Sequence, residues 1–162
     1  MRLASFTMTK PQTLFLAIFL SITLFSFAAS SQTVKGSIGN GTAKRGIATR
    51  SSVVLEIPHG LHVNSNRPNN EYLIPTVVHL SGTGVKVSKV SYPRGMNVKF
   101  KFSEKELNVY EGTIVFPFTV TVPKSFRGKN ITVDATVDFQ ACTEELCYPQ
   151  RSEKVSITAA VR

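Results

Sequence analysis

Apolar and polar residues alternate most cleanly between positions 131 and 140. Ile131, Val133, Ala135, Val137 and Phe139 fall on one side, and Thr132, Asp134, Thr136, Asp138 and Gln140 on the other. A period of two is the pattern of a β-strand with one buried and one wet face, so a strand is predicted over 131–141. Shorter runs rich in Val, Ile, Phe and Thr predict further strands at 53–57, 72–80, 85–92, 97–102, 113–122 and 154–161. The turns between them are marked by Pro58 to Gly60, Arg67 to Asn70, Ser81 to Gly84, Pro93 to Gly95, Glu111 and Gly112, and Pro123 to Asn130. No window carries apolar residues at helical spacing. About seven or eight short strands in about 110 residues imply an all-β fold, a β-sandwich. With no tryptophan and no long-range cysteine pair, it is not an antibody-type domain.

The chain before residue 51 reads differently. Arg2 and Lys10 precede an apolar stretch from Leu14 to Ala29, and the small residues Ala28 and Ser30 suit cleavage after Ser30. That stretch is short for a membrane span of about 20 residues, so residues 1–30 are expected to be a signal peptide. No cysteine follows it, which argues against a lipid-anchored end. Residues 31–50 are rich in Gly, Ser and Thr without periodicity and are expected to be a flexible leader. Residues 51–162 are then one domain, exported to a compartment where disulfides persist.

Charge changes this picture little. Of 19 Lys and Arg, Arg2 and Lys10 belong to the expected signal, leaving 17 cations against 10 Asp and Glu, a balance of 17 − 10 = +7. The cations are scattered through every segment, with no basic run and no interleaved aromatic platform. They read as a solvated surface, and no nucleic-acid partner is expected.

The chemistry concentrates in residues 140–149, QACTEELCYP, which contain the chain's two cysteines, Cys142 and Cys147. A close pair between two strand-like segments is either a small staple or a reversible two-electron switch. By chain entropy, a disulfide closing a loop of six residues stabilises by only about 2 kcal/mol, against about 4.7 kcal/mol for a loop of 100 residues. A weak staple leaves both readings open. Two cysteines without a second matched pair do not complete a zinc site. Glu144 and Glu145 lie inside the loop, where negative charge disfavours a thiolate. The thiols are therefore expected to be sluggish unless a partner sulfur is docked in line.

Other residues point nowhere specific. His59, His62 and Met96 are soft ligands of the kind copper takes, but too few for a site, so no metal and no organic cofactor are expected. His79 alternates with Val78 and Leu80 as an outward strand position. No Gly-x-Ser-x-Gly elbow is present, so hydrolysis is not indicated.

The segment 140–149 resembles the cysteine loop of the N-terminal periplasmic domain of the thiol:disulfide interchange protein DsbD. The resemblance extends through His59 to Pro68, Tyr72 to Thr76 and Leu107 to Gly112, covering roughly Val53 to Val161. It implies an immunoglobulin-like β-sandwich that relays reducing equivalents to thioredoxin-fold periplasmic proteins, among them those serving disulfide isomerisation and cytochrome c maturation. Carried over, Cys147 forms the mixed disulfide with a partner and Cys142 resolves it. A cap loop, here Asn97 to Leu107, covers the pair with an aromatic ring, Phe102 ahead of Phe100. Glu144, Glu145, Tyr148, His62 and Tyr110 are the candidate modulators.

Two departures qualify the likeness. The sequence ends at Arg162 without a membrane section or thioredoxin-like domain, so a membrane electron donor is expected in trans. The cysteine loop is about one residue shorter than the family's best-known version, and His62 and Asn64 stand where aromatic residues are expected. If active, the protein is a thiol:disulfide oxidoreductase. A non-catalytic binding or adaptor domain with a structural disulfide is the alternative.

Overall fold

The computed structural model describes residues 31–162; the expected signal segment lies outside the described residues. Twelve strands are formed among these residues. They are β1 (Thr33–Ile38), β2 (Thr42–Ala43), β3 (Ala48–Glu56), β4 (His62–Asn64), β5 (Val77–Gly82) and β6 (Lys86–Val87), then β7 (Met96–Val98), β8 (Leu107–Tyr110), β9 (Thr113–Thr121), β10 (Asn130–Phe139), β11 (Ala141–Cys142) and β12 (Arg151–Val161). They make three four-stranded sheets, ordered β1-β3-β9-β6, β2-β12-β10-β5 and β11-β4-β8-β7.

The first two sheets form an immunoglobulin-like sandwich. Inward residues of β3 and β9, such as Val53, Leu55, Phe116 and Val120, share one core with the inward set of β10 and with Ile157 and Ala159 of β12. Ile131, Val133, Ala135, Val137 and Phe139 are all buried, as their alternation requires. The polar face of β10 is used as well. Asp134 accepts a hydrogen bond from Ser156 Oγ at 2.6 Å, and Asp138 lies 3.1 Å from His79 Nε2, with His79 outward on β5.

The segment 31–50 is not a flexible leader. It supplies β1, β2 and the start of β3, with β1 pairing along β3 from Thr33 opposite Glu56 to Ile38 opposite Ser51. Its periodicity is hidden because an inward position of β1 is Gly36. A Cβ there would collide with the Ile157 side chain from the facing sheet, so the close approach of the two sheets requires glycine. Lys35 and Glu56 pair outside at 2.9 Å.

Three expected strands are shorter than their apolar runs, and that expected over 97–102 forms only as Met96–Val98. Residues 72–76 stay outside β5, where Pro75 offers no donor and Leu73 packs under the third sheet's hairpin. Of 85–92 only β6 pairs regularly. Beyond it, the Ser88 and Ser91 amides still donate to the carbonyls of Thr119 and Pro117.

The third sheet is built from the ends of strands leaving the sandwich. Chain from β3 turns into β4, β8 runs through Glu111 and Gly112 into β9, and β10 passes through Gln140 into β11. Both faces of this sheet are covered. In register, Ala141 lies opposite Val63 and Val63 opposite Tyr110, and these three join the main core. The alternate residues Cys142, His62, Asn64 and Val109 point the other way, as strand geometry demands. On that second face sits a separate cluster of Phe100, Leu107 and Val109, with Leu73 and Val98 against it.

Candidate functional site: a hairpin disulfide and a ring stack

Cys142 and Cys147 are joined by a disulfide, with Cα atoms 3.9 Å apart across an antiparallel bridge. Between them Thr143 to Leu146 make a tight turn. The Thr143 amide donates to the Leu146 carbonyl at 2.8 Å, and Thr143 Oγ1 accepts from the amides of Glu145 and Leu146 at 3.2 and 3.1 Å. A threonine hydroxyl that satisfies turn amides fixes the loop without a glycine. After the turn, the Tyr148 amide donates to the Ala141 carbonyl at 2.8 Å, and Gln140 Nε2 donates to the Tyr148 carbonyl at 3.0 Å. The disulfide thus closes a hairpin that backbone bonds already hold.

The two sulfurs differ in access. Cys142 is 1% exposed, on the covered face of the third sheet, while Cys147 is only half-buried. Leu146 and Tyr148, on either side of Cys147, are both exposed.

A sequence of stacked rings starts at the cross-strand partner of Cys142. That partner is His62, and residues so paired hold their Cβ atoms about 4.5–5.5 Å apart on one face. The His62 ring stacks on Phe100 with centroids 4.0 Å apart and planes 16° apart, and Phe100 stacks in turn on Phe102 at 5.5 Å. Phe100 is the inner ring, 6% exposed; Phe102 is outermost, 41% exposed. The order follows from the hairpin of β7 and β8, which folds Phe100 into the cluster with Leu107 and Val109 and leaves Phe102 at the tip. Asn69 fastens that hairpin, donating to the Glu106 carbonyl at 2.6 Å and accepting from the Asn108 amide at 3.0 Å.

Electrostatics at the site centre on His62. Burial pushes its pKa below the ordinary imidazole value, and the nearby Glu144 carboxylate partly opposes that shift. His62 Nε2 and Asn64 Oδ1 are buried without hydrogen-bond partners. A cleft of about 680 Å³ opens beside the ring stack, lined by His62, Phe100, Glu144, His59 and Glu111 among others.

The remaining expected residues separate. Glu144, Glu145 and Tyr148 belong to the cysteine hairpin or its exit, and all three are exposed. Tyr110 lies on the opposite face of the third sheet. Its hydroxyl is 2.7 Å from Asn66 Oδ1 and 2.9 Å from the Pro93 carbonyl, its ring meets Phe116 edge-on, and burial raises its pKa. It is not brought together with the cysteines. Among the described residues no group of three or more His, Cys, Asp and Glu side chains is placed to hold a metal, and Met96 is exposed. Nor is any helix among them long and apolar enough to cross a membrane. Sequence reasoning missed Thr143 and Asn69 as organisers of the site; the Thr-x-x-Leu turn and the Asn-rich loop were their only signals.

The family model for the N-terminal domain of the thiol:disulfide interchange protein DsbD matches residues 42–159. The chain belongs to the DsbD N-terminal family. Its match starts upstream of residue 51, consistent with strands β2 and β3 being part of the domain. Among solved structures, the chain is similar to the DsbD N-terminal domain of Neisseria meningitidis in the reduced form, at 16% identity and a TM-score of 0.43. That match covers 68% of this chain and 80% of the other. It is also similar to the N-terminal periplasmic domain of ScsB from Proteus mirabilis, at 11% identity and a TM-score of 0.44, covering 76% of this chain and 44% of the other. No curated protein matches. Membership of the DsbD N-terminal family, together with the Cys142–Cys147 disulfide, makes this a thiol-disulfide interchange domain.

Proposed function

We propose that this domain is an exported, periplasmic electron carrier. Its Cys142–Cys147 pair cycles between dithiol and disulfide and passes two electrons to thioredoxin-fold proteins. The observation that carries the reading is the unequal access of the two sulfurs: Cys147 is half-buried at a hairpin exit flanked by exposed Leu146 and Tyr148, and Cys142 is sealed.

In the reduced carrier, the Cys147 thiolate attacks one sulfur of the partner's disulfide and releases the other as a thiolate. Cys142, having lost its proton, then attacks Cys147 Sγ and expels the partner as its second thiolate. The partner gains two electrons and two protons, and the domain returns to the disulfide. A membrane electron donor acting in trans restores the dithiol. Partners of this kind include those serving cytochrome c maturation.

The Phe100 and Phe102 stack acts as the lid. An apolar cover over the buried sulfur keeps small thiols out, and a docked protein with a complementary apolar surface displaces it. Glu144 and Glu145 add restraint, because neighbouring carboxylates disfavour the attacking thiolate.

The reduction potential tests the reading. A carrier sits in the shuttle range of about −180 to −270 mV, whereas an inert structural bond lies below about −300 mV. A value in the lower range leaves an adaptor domain with a permanent staple.

A further inference from the structure

A buried imidazole nitrogen with no partner is costly, and such a group calls for a reason. His62 is 3% exposed, faces Cys142 across the β4–β11 ladder, and is held in place by the Phe100 ring. The neighbouring sulfur cannot satisfy it as a donor, because a disulfide carries no proton. Reduction changes that, since Cys142 then carries an S–H on the same face. In the tautomer that leaves Nε2 without a proton, the orphan nitrogen is an acceptor, and a Cys142 S–H across the ladder is a donor that exists only in the dithiol state.

We propose that His62 is the proton acceptor for the Cys142 thiol in the resolving step of exchange. The inference rests on the carrier reading and adds to it the group that activates the second cysteine. Cys142–SH gives its proton to the unpartnered imidazole nitrogen as its sulfur attacks Cys147 Sγ. The Cys142–Cys147 bond forms, the bond from Cys147 to the partner sulfur breaks, and the partner leaves as a thiolate that takes up a proton from the imidazolium or from water. The two cysteines lose two electrons and the partner gains them.

The surroundings suit the task. A base must be neutral to accept a proton, and burial keeps His62 so at neutral pH. Glu144, Glu111 and His59 line the same cleft, and Glu144 favours the imidazolium formed during the step. Cys142 needs the help, because a thiol sealed from water ionises reluctantly.

The test uses the reduced full chain and a symmetrical nitrothiobenzoate disulfide. Cys147 releases a first chromogenic thiol on forming the adduct, and Cys142 releases the second on resolving it. In the wild type the second release should reach a plateau across neutral pH, with an acid limb set by His62. In His62→Phe it should slow at least about tenfold at pH 7 and climb about tenfold per pH unit towards the thiol's own ionisation. His62→Gln, which keeps a polar group and guards against loss of the fold, should behave like His62→Phe.

Unchanged rates and plateau in either variant overturn the proposal. Full rescue by Gln also overturns it, because an amide positions a thiol but takes no proton. If the His62 dependence is found while Cys142→Ser captures no thioredoxin-fold protein, the carrier reading fails and this assignment stands.

Discussion

The imidazole of His62, the cross-strand partner of the buried Cys142, lies nearly parallel to the ring of Phe100, with 4.0 Å between centroids. A titratable ring and an apolar ring thus stack on the face of the third sheet that carries Cys142, and in the proposed carrier they govern access to the disulfide.

The inner ring, not the outer one, should control that access. Phe100→Ala removes a buried side chain from a cluster with only two other buried apolar residues, at a cost of about 3 kcal/mol. The lid then opens locally more often. Reduction of the disulfide by a small dithiol should accelerate about tenfold or more, equivalent to at least about 1.4 kcal/mol. Phe102→Ala, at an exposed position, should change that rate much less. Stopped-flow reduction of the two variants checks the ranking.

Stability should fall on mild acidification, and His62 should be a cause. Its pKa is lower folded than unfolded, so below about pH 6.5 the unfolded chain binds more protons and gains on the folded state. The loss grows as pH falls towards the folded pKa and is constant below it. Comparing thermal midpoints of the wild type and His62→Gln between pH 7.5 and about 5 isolates this contribution, and the variant should show the shallower decline.

Tyr110 should matter for folding and not for exchange. Tyr110→Phe removes the hydroxyl that serves Asn66 and the Pro93 carbonyl, with an expected cost of about 1–2 kcal/mol. The wild type should also lose stability above about pH 10, because burial raises the folded phenol's pKa above its unfolded value. Denaturant unfolding checks the first effect, and the reduction potential of the variant should match that of the wild type.

Reduction alone should leave the domain folded. The bond closes a short hairpin already held by backbone hydrogen bonds, so cutting it should cost only about 2 kcal/mol. Urea titrations of oxidised and reduced protein give the difference directly.

How far the sequence reached depended on strand length. The ten-residue β10 alternates without a break, and its buried set was readable residue by residue. Thr33–Ile38 was not, because Gly36 stands where an apolar residue would have revealed the period. The strands that build the site, β4, β8 and β11, have four residues or fewer, too short for a period of two to show. Position 62 carried no pattern of its own either, since its burial comes from a hairpin almost 40 residues away in sequence. The cysteine loop was visible as chemistry, but which sulfur is sealed depends on the pairing of Cys142 with His62, which local sequence does not encode.

Capture of a partner tests the central claim most directly. Cys142→Ser leaves Cys147 without its resolving thiol, so incubation with a periplasmic thioredoxin-fold protein whose second active-site cysteine is replaced by Ser and whose first is activated as a nitrothiobenzoate disulfide should release nitrothiobenzoate and accumulate a mixed disulfide, visible as a reducible band of summed mass. Cys147→Ser, with only the sealed Cys142 left, should accumulate little or none. Absence of the adduct in Cys142→Ser, with the fold intact, would contradict the carrier account.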